Sequence, residues 1–571
     1  MKRILIVLSI ALVCAGIGWA GYRAVVPPDV ALSKFVPAGS VLYLESPDFS
    51  SLLADWNSSS QKKQWIRSDN YEVFSRSRLF LRLKGAGDQF ATAAGLPPDM
   101  DFLWQVAGKR SALALYDIGN LQFLYITYLP SAKSMQTSLY QTRSKFEPRS
   151  AGGVDFYVRR DEESEREVAF AVSGDYLLLA TREDLLAGAL QLMSGKQGPT
   201  VENDSWWAQS TAAAGHAGDL RMVLDLQTLV PNGYFRTYWV QQNITDLSQY
   251  SSAVSDLFRS GKEYREERVL IRKKEAQSGS SEGLAAAAEL SRLVPDDAGV
   301  YTSMANPSAD ACFALLETKI LAPHLGPAPA SQIAPQVQLT SGEQGGGSDL
   351  ETHIDQAPAE APIVGRADAA LKELLTKTQL LASLQLQSTE RDSAGVFVRM
   401  HAAIVLQAGS DWSEESARSA ITEMLRPALT AGQMGVSWQQ KSGYLQLDGL
   451  WPLTLSVRGK YLMISDGAAL MESVLPNFNR KSERKPLDYY AGFNHRHERE
   501  NFARFSTSLD RPNSPSPYAN PNENSSEREP QFFSGNIASL STTLADVSAE
   551  RIEIRSDGGK VRQTVTYEWS Q

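Results

Sequence analysis

A stretch of 24 residues that occurs twice is the feature that most limits how this 571-residue chain can fold. The first copy, FAVSGDYLLLATREDLLAGALQLM, covers residues 170–193, and the second, LSVRGKYLMISDGAALMESVLPNF, covers residues 455–478. Each copy predicts a short strand, a turn at a glycine, a second strand and an amphipathic helix. The chain is therefore expected to contain two related units. Six aligned positions are identical: Val172/Val457, Gly174/Gly459, Tyr176/Tyr461, Leu177/Leu462, Leu185/Leu470 and Leu190/Leu475.

A second landmark repeats in the same order. VPAGSVLYLES at residues 36–46 and VPDDAGVYTSM at residues 294–304 each predict a turn leading into a strand, and a helical stretch follows both. The distance from the opening valine to the repeated glycine is 138 residues in the first copy and 165 in the second. The second copy is therefore expected to carry an insertion.

The pattern between these landmarks predicts an α+β fold. Short strands joined by tight turns favour antiparallel pairing, and one helix every two or three strands can cover a sheet face. We predict a first α+β unit over residues 33–274, a polar linker over 275–292 and a second α+β unit over 293–571. Both units are expected to consist mainly of antiparallel sheet with covering helices.

Two segments of the second unit and its end carry further predictions. Residues 323–366 are rich in Pro, Gly, Gln and Ala with few aromatic residues, and residues 479–530 contain the stretch NSPSPYANPNENSSEREP; both compositions predict disordered insertions. RIEIRSDGGKVRQTVTYEW, at residues 551–569, predicts a hairpin with its turn at Asp557, Gly558 and Gly559. We assign this hairpin to the second unit.

The N-terminus predicts export. Lys2 and Arg3 precede the uncharged apolar run Ile4 to Ala20, which is typical of a signal anchor or a signal peptide over residues 1–24. We favour an uncleaved helix in the inner membrane, with cleavage after Ala20 as the alternative. The body is then expected in the periplasm or another extracytoplasmic space, with the membrane as a partner through this helix.

Charge and cysteine content exclude several classes of function. The net charge of -9 is spread along the chain without a long basic run, so no nucleic-acid partner is expected. The two cysteines are Cys14, inside the apolar run, and Cys312. They predict neither a disulfide, nor a cysteine metal cluster, nor a C-x-x-C redox pair.

One set of motifs has the residue types of a penicillin-binding serine site. Ser59-x-x-Lys62, Ser68-Asp69-Asn70 and Lys441-Ser442-Gly443 correspond to its three elements. The first two motifs begin only nine residues apart on one continuous stretch, so they are not expected to converge on one pocket. We therefore predict no catalytic residue.

The closest histidine pair is His495 and His497, with Glu498 and Glu500 beside it. On a strand both imidazoles would lie on one face and could bind Zn²⁺ with a carboxylate. The polar context favours a solvated surface instead, so no metal ligand and no cofactor residue is predicted. The acidic run DEESERE, at residues 161–167, lacks calcium-loop spacing and predicts the tip of a hairpin.

The aromatic residues are densest in two clusters. An exposed aromatic surface could bind a glycan, a lipid or a partner protein, but a helix packed on the sheet of the first unit is the favoured interpretation. The clusters are Trp206 with Trp207, and Tyr234, Phe235, Tyr238 with Trp239.

The opening V-P-A-x-x-x-L-Y-L-E (Val36 to Glu45) and the strand G-D-Y-L-L-L (Gly174 to Leu179) resemble those of a bacterial family catalogued only as a domain of unknown function. Its members have an N-terminal membrane segment and an extracytoplasmic body, and the resemblance implies no activity. The second copy departs from the pattern at Asp296 and Asp297.

Together these features predict a non-enzymatic envelope protein that binds or scaffolds a lipid, a peptide or a partner protein. The alternative is a hydrolase-like envelope enzyme whose site is assembled from dispersed residues. An enzyme should show titratable residues of perturbed pKa converging in a pocket. A groove lined by apolar side chains would favour lipid binding.

Overall fold

The computed structural model describes residues 30–97, 102–236, 247–275, 279–322, 368–391, 398–431, 437–447, 452–482, 484–499, 501 and 547–569. The chain divides into two compact units, Met1–Ser278 with Phe502–Gln571, and Gly279–Asn501. Both combine antiparallel sheet with helices, so the predicted α+β class is confirmed. None of the helices in the described part is long and apolar enough to cross a membrane. The anchor predicted over residues 1–24 and the insertion predicted over 323–366 lie outside the described residues.

Within the described residues, the sheet of the first unit has twelve antiparallel strands. Their order across the sheet is β4-β5-β6-β7-β3-β2-β1-β8-β9-β10-β20-β19. The strands are β1 Leu42–Ser46, β2 Ser111–Asp117, β3 Gln122–Tyr128, β4 Glu147–Ala151, β5 Val154–Arg160, β6 Glu167–Ser173, β7 Tyr176–Ala180, β8 Leu220–Leu224, β9 Tyr250–Arg259, β10 Glu263–Arg272, β19 Val547–Asp557 and β20 Lys560–Trp569.

The second unit repeats the order of the first eight of these strands. Its order is β14-β15-β16-β17-β13-β12-β11-β18, again antiparallel throughout. This shared order supports the interpretation of two related units. The strands are β11 Val300–Ala305, β12 Leu380–Arg391, β13 Val398–Ala408, β14 Trp438–Gln440, β15 Leu445–Leu447, β16 Leu453–Arg458, β17 Tyr461–Ser465 and β18 Tyr489–Phe493.

The repeated stretch forms the predicted strand, turn, strand and helix in both units. It supplies β6 and β7 in the first unit and β16 and β17 in the second. Gly174 and Gly459 occupy the two turns at φ 55°, a left-handed conformation that glycine adopts without a steric penalty. β7 pairs with β6 and β3, and β17 pairs with β16 and β13, so each copy lies in the middle of its sheet.

Three predicted boundaries are corrected by the strand pairing and burial. The C-terminal hairpin belongs to the first unit, because β20 pairs with β10 from Glu263↔Glu568 to Ile271↔Lys560. The predicted linker 275–292 contains a helix of the second unit, Ser281–Leu290, whose Leu290 is fully buried. The predicted disordered segment 479–530 begins with an ordered part that includes β18, while residues 502–530 lie outside the described residues.

Three helices that follow β1 begin at polar caps that the sequence provides. Asp48, Ser59 and Ser77 accept hydrogen bonds from backbone N–H groups in the first turns of the helices that follow them. The helices of the first unit are α1 Phe49–Ser58, α2 Ser60–Ile66, α3 Asp69–Ser75, α4 Arg78–Ala93, α5 Leu103–Val106, α6 Ser131–Ser134, α7 Ser138–Gln141, α8 Glu183–Met193, α9 Ser205–Ala213 and α10 Leu226–Leu229. In the second unit they are α11 Ser281–Leu290, α12 Ala309–Leu316, α13 Ala369–Lys377, α14 Glu414–Ala431 and α15 Ala468–Val474.

The two faces of the first sheet differ in how they are covered. One face packs against α8 and α9 in a solid core that includes Tyr43, Ile126 and Leu178. On the opposite face, two separate clusters lie around α4 and α10, and Phe123 contacts both. The space that remains between sheet and helix on this second face is the candidate site.

Candidate functional site

A cavity of about 850 Å³ lies within the first unit, between the sheet and helix α4. Its wall is formed by β1, β2, β3, β7 and β8 on one side and by α4 and the segment around α5 on the other. The volume falls within the range of roughly 300–1,000 Å³ that is usual for small-molecule sites.

The strand side of the wall is apolar because of the alternation along each strand. Successive side chains of a strand point to opposite faces, so Leu113 and Leu115 of β2 line the cavity while Ala114 enters the solid core. The same alternation places Leu42 and other large side chains of the neighbouring strands in the wall. These are Leu42, Leu44, Phe123, Tyr125, Leu179, Leu220 and Met222.

The helix side of the wall explains why the space is not filled. Leu83, Ala86, Gly87, Phe90 and Ala91 line the cavity at the i, i+3, i+4, i+7, i+8 spacing of one helix face. Three of these five residues are Gly or Ala, so the helix presents little side-chain volume to the large apolar residues of the strands. The cavity therefore results from small residues on α4.

Helix α4 is held at both ends by polar contacts to the sheet. Near its start, Arg82 Nη2 donates to Gly119 O at 2.6 Å in the turn between β2 and β3. Near its end, Arg166 Nε donates to Gln89 Oε1 at 3.1 Å, and Ala93 is fully buried. The middle of the helix, which lines the cavity, lies between these attachments.

The hydroxyl groups of the wall are already hydrogen-bonded within the protein. Tyr125 Oη donates to Val106 O at 3.0 Å, and Ser111 Oγ lies 2.6 Å from Thr127 Oγ1. Ser46 Oγ donates to Asp219 O at 2.8 Å. Burial raises the pKa of the Tyr125 hydroxyl, so it stays neutral. The wall therefore offers mainly hydrocarbon surface to an occupant.

The cavity opens to solvent beside α4 and α5. Leu83 is 41% exposed and Leu103 44% exposed, although both line the cavity. Lys84 is exposed beside Leu83 and also lines the wall. A long apolar molecule could thus place its chain in the cavity and a polar or anionic end near Lys84.

The serine motifs in the first unit have structural roles. Ser59 caps α2 by accepting from Lys62 N at 3.1 Å, and its own hydroxyl donates to Trp56 O at 2.6 Å. Ser68 Oγ donates to Trp65 O at 2.7 Å and accepts from Tyr71 N. Lys441-Ser442-Gly443 forms the turn between β14 and β15 of the second unit. None of these residues lines the cavity.

The histidine pair lies at the start of a helix rather than on a strand, and its surroundings differ from the predicted solvated surface. The Glu498 side chain is only 1% exposed and accepts from Thr389 Oγ1 at 2.6 Å and from Thr389 N at 3.2 Å. His497 Nδ1 lies 2.8 Å from the same carboxylate. His495 makes a ring contact with Phe493 instead, and Glu500 lies outside the described residues. Across the described residues, no group of three or more His, Cys, Asp or Glu side chains could hold a metal ion.

The aromatic clusters pack as the sequence indicates where the structure describes them. Trp207 makes an edge contact with Tyr43, with ring centroids 6.4 Å apart, so α9 packs on the sheet of the first unit. Phe235 is 7% exposed, whereas Tyr234 is 48% exposed and contacts Arg82. Tyr238 and Trp239 lie outside the described residues. The acidic run at 161–167 spans the turn between β5 and β6, as predicted.

The sequence reasoning did not identify the cavity. The signal that could have found it is LKGAGDQFATA within α4, where Gly and Ala replace large residues on the face toward the sheet. Such a stripe becomes informative only when the partner strands are known, because small residues on a helix usually allow close packing.

Comparison with known proteins gives no assignment. No protein-family model matches the chain, and no curated protein matches it. Among solved structures, crystal form III of TP0453 is similar at 10% identity and a TM-score of 0.24, over 46% of this chain and 88% of that one. Crystal form I of TP0453 is similar at 10% identity and a TM-score of 0.23, over 44% and 82%. At these TM-scores the likeness carries no argument about fold or function.

Proposed function

We propose that the first unit binds an apolar ligand with at least one long hydrocarbon chain, such as a lipid, in the cavity under α4. The observation that carries this proposal is the apolar wall, whose hydroxyl groups are engaged with other protein atoms. A ligand held there gains affinity from the burial of apolar surface, at about 25 cal/mol per Å².

The size of the cavity supports an occupant. At about 850 Å³, and open to solvent beside α4 and α5, the cavity has room for many water molecules or for a ligand. Water needs polar partners, and this wall provides few that are not already engaged. A hydrocarbon chain replaces those waters and restores the lost dispersion contacts.

The proposal places this binding in the cell envelope. Its basis is the sequence of residues 1–24, in which two basic residues precede an uncharged apolar run. Anchored there, the first unit has lipids within reach as ligands. The alternative within the same predicted function is that the protein binds or scaffolds a peptide or a partner protein.

The hydrolase-like alternative gains no support from this wall. No histidine is among its lining residues, and its serines at 46 and 111 are engaged in structural hydrogen bonds. A nucleophilic hydroxyl needs an adjacent general base to be activated.

The test compares the lipids extracted from three forms of the full-length chain by mass spectrometry. Ala86→Phe combined with Ala91→Phe places two rings in the cavity, since both alanines line it. Ala208→Phe, at an exposed position of α9, is the matched control. Lipids around the predicted anchor are retained equally by all three forms. We expect a defined amount of lipid that the wild type and the control hold and the double variant lacks; equal lipid content in all three would exclude the proposal.

A further inference from the structure

The helices that follow β1 are unusually exposed for a globular protein. No residue of α1 or α2 is buried, and in α4 only Ala93 is buried. Helices normally gain their stability by burying an apolar face. These helices instead leave large apolar side chains in solvent: Trp56 at 47%, Ile66 at 46%, Phe74 at 37%, Leu81 at 56% and Leu83 at 41%.

The exposed residues are concentrated in one part of the sequence. Leu103 and Trp104, at 44% and 42% exposed, extend the same region just beyond α4. We call α1 to α4, residues 49–93, the helical cover. A monomeric soluble protein rarely exposes so many large apolar residues together, and such regions mark interaction sites.

Ring contacts join three of the four helices of the helical cover. Trp65 contacts Tyr71 and Phe74 at centroid distances of 6.1 and 5.9 Å, and Phe80 contacts the same two rings at 6.3 and 5.4 Å. These contacts join α2, α3 and α4 to one another rather than to the sheet. The helical cover can therefore present its outer side chains as one surface.

The charge of this surface identifies the class of partner. The helical cover contains seven basic residues, Lys62, Lys63, Arg67, Arg76, Arg78, Arg82 and Lys84, against the four acidic residues Asp55, Asp69, Glu72 and Asp88. The whole chain has a net charge of -9, so this segment departs from the rest in sign. Lys63, Arg67, Arg78 and Lys84 have no ion-pair partner among the described side chains.

We propose that the helical cover docks on an anionic lipid bilayer, with its exposed apolar side chains in the interface and its basic residues at the headgroups. Helices of this kind, with Trp, Phe and Leu beside Lys and Arg, bind membrane surfaces through apolar burial and attraction to anionic lipids. Trp56 is the type of side chain that is enriched at such interfaces. This proposal is independent of the ligand in the cavity, although Leu83 and Lys84 belong to both surfaces.

The distance to the predicted anchor agrees with this docking. The chain advances by ten residues from Ala20 to Val30, where the described part of the chain starts. A fully extended chain spans at most about 3.6 Å per residue, so these ten residues reach about 36 Å. An anchored chain therefore keeps the first unit close to the membrane surface.

The experiment uses the full-length chain in nanodiscs, with an environment-sensitive fluorophore attached to Leu81→Cys in a Cys14→Ser background. The remaining cysteine, Cys312, is 1% exposed and does not compete for the label. Leu81 does not line the cavity, so the fluorescence of a label at this position does not report on a ligand bound in the cavity. The matched control carries the label at Ala208→Cys, an exposed position on α9 outside the helical cover.

In nanodiscs that contain phosphatidylglycerol, we expect a blue shift at position 81 and quenching by lipids with brominated acyl chains, and neither at position 208. Both effects should fall several-fold in pure phosphatidylcholine, at high salt, and in the variant Lys63→Glu/Arg67→Glu/Arg78→Glu. A label at position 81 that stays as exposed as that at 208 overturns the proposal. Equal quenching in phosphatidylglycerol and phosphatidylcholine overturns the proposal that the lipid surface must be anionic. If the label at position 81 is instead shielded without lipid, to a degree that depends on protein concentration, the helical cover binds a second copy of the chain.

The two proposals fail separately. The double variant Ala86→Phe/Ala91→Phe should lose its extracted lipid and still show quenching at position 81. The triple charge-reversal variant should lose quenching, whatever its lipid content.

Discussion

The two units have the same order of eight strands but different covers on one sheet face. Between its first two strands, the second unit carries α12 and α13, which bury Cys312, Phe313, Leu316, Leu371 and Leu375 in a continuous core. In the first unit, the helices α1, α2 and α4 at the corresponding place bury only Ala93. The sheet alone therefore does not decide whether this face becomes a core or a cavity; the connection between the first two strands does.

The repeated stretch identifies the equivalent sheet face in the two units. Leu179 of β7 aligns with Ile464 of β17. Leu179 lines the cavity of the first unit, whereas Ile464 is 1% exposed within the core formed with α12, α13 and α14. Equivalent side chains thus border a cavity in one unit and packed helices in the other.

The units also differ in how each holds a buried carboxylate. In the first unit, Asp256 is 4% exposed and makes two contacts of 2.7 Å with the Arg221 guanidinium. In the second unit, Glu498 is held by Thr389 and His497. A bidentate arginine supplies both charge and geometry, so its loss should be the more costly.

The largest predicted effect comes from removing that arginine. Arg221→Met leaves the Asp256 charge buried without its partner, which should destabilise the first unit by about 3–5 kcal/mol. Hydrogen exchange measured by mass spectrometry on the full chain reports each unit separately. Arg182→Met, at an exposed pair with Asp184, is the control and should cost less than about 1 kcal/mol. If the two substitutions have the same effect, the Asp256 pair does not stabilise the first unit.

The second prediction tests the two covers directly. Leu316→Ala removes a fully buried side chain of α12 and should destabilise the second unit by about 3 kcal/mol, from lost transfer energy and a new void. Leu81→Ala in α4, where the side chain is 56% exposed, should change stability by less than about 0.5 kcal/mol. Hydrogen exchange measured by mass spectrometry at increasing denaturant concentration compares the stabilities of the two variants. A large loss from Leu81→Ala would mean that the helical cover is packed more tightly than its exposure indicates.

Much of the fold was predictable because turns and alternation are local. The glycines at 174 and 459, and the apolar pattern around them, identify both repeats without knowledge of their partners. The C-terminal hairpin was assigned to the wrong unit because its strands and turn are visible in sequence, but its pairing with β10 is not. The hairpin follows the second unit in the sequence, which favours assigning it there, and only the structure shows its long-range pairing with the first unit.

The buried Glu498 could not be predicted for a different reason. Its segment is polar and charged, as surface segments usually are. The carboxylate is accommodated because Gly299 has no side chain: a Cβ built there would clash with Glu498 Oε1. Burial at this position depends on a glycine that is distant in sequence, and the cavity likewise depends on small residues of α4 opposite distant strands.

A smaller and pH-dependent difference is expected at a position that the two sheets share. The strand pairing places His401 and Asp466 of the second unit where the first has Gln122 and Thr181. Both units keep a hydrogen bond from a backbone N–H to the side chain at this position. Ala402 N donates to Asp466 Oδ1 at 2.7 Å, and Phe123 N donates to Thr181 Oγ1 at 2.8 Å. The Asp466 carboxylate, 3.5 Å from His401 Nδ1, raises the pKa of His401 above 6.5 against the opposing effect of burial.

His401→Gln copies the first unit and should remove this pH dependence. Because the folded pKa is raised, the protonated histidine stabilises the second unit fully below pH 6.5, and this contribution is lost as pH rises through the folded pKa. The unfolding free energies of wild type and variant, measured from about pH 5 to about pH 9, should therefore converge at high pH. Gln122→His is the control, since Thr181 supplies no charge. A constant difference across this range would show that His401 acts by packing alone.

The smallest predicted effect concerns the glycines of α4. Gly85 lies in the helix interior, and no neighbouring atom lies within 4 Å of the point that a Cβ would occupy, so Gly85→Ala meets open space and does not line the cavity. The substitution reduces the freedom of the unfolded chain and should stabilise α4 by about 0.4–1 kcal/mol, seen as slower hydrogen exchange there. Gly188→Ala in α8 is the matched control, because its Cβ would lie 3.0 Å from Pro37 Cγ, and we expect a smaller gain or a loss. If α4 is as closely packed as α8, the two alanines will behave alike; a gain at 85 alone supports a loosely held helical cover over the cavity.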